Sequence, residues 1–129
     1  MIFMIHDPVY SQDVVVAVAE PNVRAILAAI LRAGYHVDDV DEMADMLEMG
    51  VASGKTVMDS DSGAVVIRLQ RFRRGNASDI SDLVHECVHA ATMLFARVGF
   101  PLESKTDEPL AYYVSFLVRS ALRKLHARR

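Results

Sequence analysis

Apolar side chains recur along the first half of the chain at two spacings, which predict different elements. The run over 12–19 is rich in β-branched residues and is typical of a strand, although it could also open a helix. Helical spacing over 23–31 predicts a helix that begins after a Pro-Asn pair and ends at Gly34. The same spacing over 37–47 predicts a second helix, ending near Gly50.

The second half of the chain predicts a hairpin followed by two long helices. Extended runs at 56–58 and 64–69 flank a stretch of turn-forming residues, which is the pattern of a β-hairpin. Helical spacing then continues over 79–98, and a last helix is predicted over 108–126 with a proline in its first turn. This order of elements predicts an α+β fold in a single domain spanning 1–129.

Composition indicates a globular protein. Hydrophobic residues make up 52% of the chain and charged residues 24%, which argues against disorder. The apolar runs are too short for a membrane-spanning helix, and the N-terminus lacks the basic residues of a signal peptide. The single cysteine, Cys87, excludes an intramolecular disulfide and suits a reducing compartment. We therefore expect a cytoplasmic protein with no membrane partner.

Charge is unevenly distributed along the chain. The formal net charge of −3 gives no overall attraction to nucleic acid. One acidic segment spans 38–48, and two basic segments span 68–74 and 119–129. Phe72 is the only aromatic residue within the two basic segments, so no surface for base stacking is predicted and a nucleic-acid partner is not expected.

Residues 50–56 resemble a phosphate-binding P-loop but do not match its spacing. Three residues separate Gly50 from Gly54, whereas the motif needs four. The segment also follows a helical pattern and precedes a strand, which is the reverse of the order that phosphate binding requires. Nucleotide binding is therefore not predicted.

His85-Glu86-Cys87-Val88-His89 is an HExxH motif inside the helix predicted over 79–98. Because helical residues are about 100° apart, the two histidines lie about 40° apart on successive turns and can bind one metal ion. Glu86 lies on the flank of that site, where it could accept a proton from a metal-bound water without being a ligand. Cys87 points away from the histidines and is predicted to be buried. The alternative is two histidines on a merely polar helix face.

A catalytic zinc ion needs a third protein ligand, and three carboxylates after the motif are candidates. Glu108 is favoured, because it lies 19 residues after His89 at the start of a helix that could fold back beside the first. Glu103, in the connecting loop, is the second choice, and Asp107 is also a candidate. Glu108 could instead be a carboxylate that stabilises the helix N-terminus.

Tyr112 is four residues after Glu108, on the same face of the last helix. Its hydroxyl could donate a hydrogen bond to the oxyanion that forms when water attacks a carbonyl group. Tyr113 could do so if the helix is rotated, and hydrophobic packing is the alternative role for either tyrosine.

The string Asp82-Leu83-Val84-His85-Glu86-Cys87-Val88-His89-Ala90-Ala91, followed by Asp107-Glu108-Pro109-Leu110-Ala111-Tyr112-Tyr113, resembles a minimal gluzincin. It is similar to the ImmA/IrrE-type zincins and to small zincin-like proteins encoded by phages. The resemblance implies a zincin-like fold, in which a small hairpin or sheet packs on the HExxH helix and on a long C-terminal helix. It further implies Zn²⁺ held by the two motif histidines and Glu108. An edge strand at 64–70 would hold an extended peptide.

The chain departs from the thermolysin-like branch at one position. Tyr112 stands where that branch has an aspartate that orients a histidine. Asp82 or Asp107 could take over that orienting role.

Three functions are compatible with these features. The first is a zinc metallopeptidase that acts on a peptide or protein substrate, with Glu86 as the proton acceptor. The second is a catalytically silent zincin-like binding or regulatory module, of a kind encoded by phages, with a structural metal site. The third is nucleic-acid binding through the basic segments, with the motif incidental. Two imidazoles and a carboxylate also suit iron or manganese, and no oligomeric state is predicted.

Overall fold

The computed structural model describes residues 1–127 of the chain. These residues form an α+β fold, as predicted, with the strands in both halves of the sequence. In chain order the elements are β1 (Ile2–Asp7), β2 (Gln12–Val18), α1 (Val23–Arg32), α2 (Val40–Leu47), β3 (Gly54–Met58), β4 (Val65–Leu69), α3 (Ala77–Arg97), a 3₁₀ turn (Ser104–Thr106) and α4 (Asp107–Ala127). No helix within the described part of the chain has the length and apolarity needed to cross a bilayer.

The four strands form one mixed sheet in the order β1-β2-β4-β3. β2 and β4 are parallel neighbours at the centre, while β1 pairs antiparallel with β2 and β3 antiparallel with β4. Both central strands are covered on two faces and are almost completely buried, which explains why they read as continuous apolar runs rather than alternating ones.

The prediction that 64–70 is an edge strand is wrong. β4 lies between β2 and β3, and β3 is the edge strand on that side of the sheet. The hairpin of β3 and β4 was predicted correctly, but the parallel pairing of β2 with β4 joins segments far apart in sequence. Local patterns carry no signal for such a pairing.

Helices cover both faces of the sheet. Alternate residues of β2 and β4, such as Val16 and Ile67, pack against α3 and α4. The intervening residues, such as Val15 and Val66, pack against α1 and α2. The alternation of side chains along a strand thus divides the core into two layers, and α3 is fixed on one of them.

The start of α3 is fixed by polar contacts. The Asn76 side chain accepts a hydrogen bond from the backbone N–H of Asp79 at 3.0 Å, as an N-cap should. The buried Asp79 carboxylate in turn accepts from the backbone N–H and from Nε of Arg73, both at 2.8 Å. The Arg73 guanidinium holds the pKa of Asp79 at about 2, below its ordinary value near 3.8. These bonds tie the preceding loop to the helix that carries the motif.

The depressed pKa of Asp79 predicts an acid-sensitive contribution to stability. Because the folded state favours the charged carboxylate, the contribution is complete above the ordinary pKa and is lost as the pH falls through about 2. We expect Asp79→Asn to lower the free energy of unfolding near neutral pH, and the deficit to shrink between about pH 4 and pH 2. Urea denaturation of both proteins across this pH range measures the difference in their free energies of unfolding. A deficit that stays constant with pH would contradict the assignment.

Candidate metal centre

The motif side chains cluster in the middle of α3. The Nε2 atoms of His85 and His89 are 3.1 Å apart. One ligand atom from each of His85, Glu86 and His89 lies within 4.8 Å of the others, and within residues 1–127 this is the group that could hold a metal ion. The sequence prediction that the two imidazoles converge is therefore matched by the geometry.

The separation of the two imidazoles suits a shared ion. Zinc binds imidazole nitrogen at about 2.0–2.1 Å with tetrahedral angles, which places two such nitrogens about 3.3 Å apart. The observed 3.1 Å is close to this value. Both rings are exposed, so an ion can reach them from solvent. Without an ion, the same separation suits an N–H···N hydrogen bond between two neutral rings.

Glu86 differs from the histidines in being buried, with 4% of its surface exposed. The Thr56 hydroxyl of β3 donates to the backbone carbonyl of Glu86 at 3.1 Å and lies 3.5 Å from its Oε2. Burial raises the pKa of Glu86, and the neighbouring histidines oppose that rise. A carboxylate with a raised pKa is a better proton acceptor near neutral pH than an exposed one.

Gly54 of β3 leaves the space that the Glu86 side chain occupies. A Cβ atom at this position would lie 2.9 Å from Cγ of Glu86 and 3.2 Å from its Cδ. Real Cβ atoms essentially never approach so closely, so any larger residue would displace one of the two. The glycine thus fixes how closely the edge strand approaches the carboxylate.

Three sectors of α3 face different surroundings. Glu86 points toward β3, as its contacts with Thr56 show. Val84 points toward α4 and lines a groove with α4 residues. At about 100° per residue these two directions are about 200° apart, and the histidines occupy the solvent-facing sector between them. The metal cluster therefore lies away from α4.

Glu108 is exposed in the first turn of α4 and is not part of the cluster. It lines neither the cavity that contains His85 and Glu86 nor the groove between Val84 and α4. The sequence spacing predicts that α4 folds back beside α3, which it does, but not which flank of α3 it covers. The role of Glu108 as a ligand stays a prediction.

The other residues predicted near the metal also lie elsewhere. Tyr112 is 72% exposed and lines a separate cavity with the β1–β2 turn, whereas Tyr113 is buried in the core. Glu103 and Asp107 are exposed at the start of the 3₁₀ turn and of α4. None of the four lines the cavity of His85, and neither carboxylate belongs to the metal cluster within residues 1–127.

Asp82 is the carboxylate outside the motif that the structure places beside it. With His85 and Glu86 it lines a cavity of about 310 Å³, closed on the other side by the start of β3. Asp82 precedes His85 by three residues, the spacing at which side chains on a helix meet. The sequence predicts for Asp82 only the role of orienting a histidine. The three-residue spacing between Asp82 and His85 is visible in the sequence and could have indicated a ligand.

Cys87 is fully buried in the core that α3 shares with the sheet. Burial raises the pKa of its thiol to about 12, so the reactive thiolate is suppressed near neutral pH. The prediction of a small buried residue that faces away from the histidines is confirmed.

The basic segment 68–74 is partly committed to internal contacts. Arg68 is buried and donates to the carbonyl oxygen of Leu47 at 2.6 Å. Arg73 is paired with Asp79. The basic segment 68–74 therefore has fewer arginines available to bind a polyanion than the sequence indicates.

Comparisons with known proteins add no relative to this picture. No family model matches the chain, and no curated protein or solved structure is detectably similar to it. The resemblance to gluzincins therefore remains a prediction carried by the motif and its spacing.

Proposed function

We propose that the protein is a zinc-dependent metallopeptidase centred on His85 and His89, with Glu86 as the catalytic base. One observation carries the proposal: two exposed imidazole nitrogens lie 3.1 Å apart beside a buried carboxylate. Zn²⁺ held by these imidazoles would supply a water with a pKa near 7 and would polarise a carbonyl group.

Glu86 is placed to move the proton that peptide hydrolysis requires. Its carboxylate accepts a proton as the water oxygen bonds to the scissile carbonyl carbon. When the C–N bond breaks, the same carboxyl group returns that proton to the leaving amine nitrogen. The buried position beside Thr56 and Gly54 keeps the carboxylate aimed at the cavity while both transfers occur.

The edge strand β3 offers a way to hold an extended peptide. β3 pairs with β4 on one side, and within residues 1–127 no strand pairs with its other side. Unpaired backbone groups of an edge strand can bind a peptide as an additional strand. Because Thr56 and Gly54 of this strand contact Glu86, a peptide added there would pass beside the carboxylate.

We favour Asp82 as the third ligand. It lines the same cavity as His85, whereas Glu108 does not line that cavity. With Asp82, His85 and His89 on one stripe of α3, the ligand set is two imidazoles and a carboxylate, which is typical of catalytic zinc sites. A structural zinc site needs four protein ligands, and the cluster does not gather them within residues 1–127.

A catalytically silent binding module is the second candidate. The cluster favours it, because among residues 1–127 it contains no carboxylate besides Glu86, so neither Asp82 nor Glu108 completes it. Such a module would bind zinc and peptide but would not cleave.

Peptide cleavage with controlled metal content separates these functions. The purified protein is stripped with a chelator, mixed with a library of unstructured peptides, and assayed by mass spectrometry before and after one equivalent of zinc is added. The proposal predicts cleavage that depends on zinc. Binding without cleavage would support the silent module, and cleavage unaffected by the chelator would contradict a metal-dependent mechanism.

Gly54→Ala tests the contact between the edge strand and the base. The added methyl group would force Glu86 aside, since it would lie 2.9 Å from Cγ. A catalytic group misplaced by about 1 Å can cost about 100-fold in rate, so we expect a fall in kcat approaching that size with zinc content unchanged.

Gly75→Ala is the matched control for this variant. It adds the same methyl group where no atom lies within 4 Å, at a φ of +75° that favours glycine. It should lower the melting temperature but leave hydrolysis per folded molecule intact. Equal kcat values for Gly54→Ala and the native protein would show that the contact does not position the base.

A further inference from the structure

A second cavity lies between the β1–β2 turn and α4, and the proposed hydrolysis does not use it. Its volume is about 360 Å³, which is enough for a side chain or a small metabolite. It is lined by one carboxylate, two prolines, one valine and four aromatic residues: Asp7, Pro8, Val9, Tyr10, Pro109, Tyr112, Tyr113 and Phe116. None of these residues is basic, and we refer to this space as the Asp7 cavity.

Asp7 places a buried negative charge in this cavity. It is 2% exposed, and its oxygens accept hydrogen bonds from the backbone N–H groups of Val9 at 2.7 Å and Tyr10 at 3.3 Å. These bonds fix the turn, but none of the ion pairs among residues 1–127 includes Asp7. A carboxylate buried without a counter-charge is costly unless a cation can approach it.

Tyr113 lies beside this carboxylate and does not neutralise it. Its side chain is 7% exposed, and its hydroxyl is next to Asp7 without a hydrogen bond of standard geometry within the described chain. Burial and the neighbouring Asp7 carboxylate both raise the pKa of the Tyr113 hydroxyl, which therefore stays neutral. The negative charge of Asp7 is left without a cation.

The walls of the Asp7 cavity are aromatic. The ring centroids of Tyr10 and Tyr113 are 5.8 Å apart, and those of Tyr113 and Phe116 are 6.0 Å apart. The exposed ring of Tyr112 stands at the mouth. Several rings around a carboxylate form an environment that attracts organic cations. The faces of the rings and the carboxylate both carry negative electrostatic potential.

We propose that the Asp7 cavity binds a small organic cation, either an alkylammonium or a guanidinium group. The Asp7 carboxylate supplies the counter-charge, and the rings of Tyr10, Tyr112 and Phe116 surround the cation. The cation could belong to a free metabolite or to a lysine or arginine side chain of a peptide, since both present the same chemistry.

Tyrosine fluorescence is a direct probe of this site. The chain has no tryptophan and four tyrosines, of which three line the cavity. The full-length protein is titrated with choline, with N-acetyl-argininamide and with the uncharged choline isostere 3,3-dimethylbutan-1-ol. We expect at least one cation to bind about tenfold or more tightly than the uncharged isostere. Preference for choline would indicate an ammonium ligand, and preference for the arginine derivative a guanidinium ligand. Comparing the amino acid that carries the preferred group with its N-acetyl amide then separates a free compound from a peptide side chain.

Two variants make this proposal falsifiable. Asp7→Asn keeps one oxygen for the short hydrogen bond from Val9, loses the longer one from Tyr10 and removes the charge. We expect it to abolish the preference for cations. Tyr112→Ala truncates an exposed ring that the fold does not need, and it should weaken cation binding several-fold with an unchanged melting temperature. Equal binding of the isostere, an unchanged preference in Asp7→Asn, or no binding of any probe at millimolar concentration would overturn the proposal. His85→Ala/His89→Ala should bind the cation normally.

Discussion

Replacing Glu86 with glutamine should abolish peptide hydrolysis while the protein still binds zinc. Glutamine has nearly the same shape as glutamate but cannot accept the proton, and general bases contribute about 10²- to 10⁴-fold to rate. Because burial penalises the charged form of Glu86, the neutral amide should not destabilise the fold. Initial rates on a cleaved peptide, zinc content and thermal unfolding measure the three effects.

Glu42→Gln is the matched control for this experiment. It makes the same chemical change at an exposed position on α2, outside the cluster, and should leave rate and zinc content unchanged. Full activity in Glu86→Gln would show that another group takes the proton. Loss of zinc in Glu86→Gln would show instead that the carboxylate is a ligand.

Zinc should raise the unfolding temperature of the native protein but not that of His85→Ala/His89→Ala. A ligand that binds only the folded state stabilises it by about 2.7 kcal/mol at 100 times its dissociation constant. Both imidazoles are exposed, so their removal should leave the metal-free protein folded. Thermal unfolding with and without zinc measures the difference, and equal shifts in both proteins would place the ion elsewhere.

Other histidines and carboxylates of the chain provide the controls for zinc binding. His6→Ala/His36→Ala removes two other exposed histidines and should keep the full zinc-induced shift. Of the two candidate third ligands, Asp82→Asn should weaken zinc binding, because Asp82 shares the cavity of His85. Glu108→Gln should not, because Glu108 is exposed in the first turn of α4 and does not line that cavity. The reverse result would restore the ligand set that the sequence predicts.

Local patterns predicted the elements that local interactions determine. The long helix α3 begins and ends within two residues of its predicted bounds, because helical spacing runs through it and Gly99 follows its end. Its N-cap is Asn76 rather than Ser78 or Asp79, which the sequence also offers as caps. The hairpin of β3 and β4 was predicted from the turn-forming residues between them. The pairing of His85 with His89 needed only helical spacing, and so it too could be predicted.

Features that depend on distant contacts were not predicted. β1 was missed because the apolar N-terminal segment becomes a strand only by pairing with β2. The edge strand is β3 rather than the predicted β4, because β2 pairs with β4 although two helices separate them in the sequence. The flank of α3 that α4 covers is set by packing around Leu117 and Ala121, so helical spacing alone could not place Glu108.

X-ray absorption at the zinc edge is the most direct test of the shared metal site. The protein is loaded with one equivalent of zinc and compared with His85→Ala/His89→Ala. Our account predicts two imidazole nitrogens at about 2.0–2.1 Å from the ion, with the outer-shell scattering of imidazole rings, and loss of this signal in the variant. An ion without imidazole scattering in the native protein, or the same spectrum in both proteins, would contradict it.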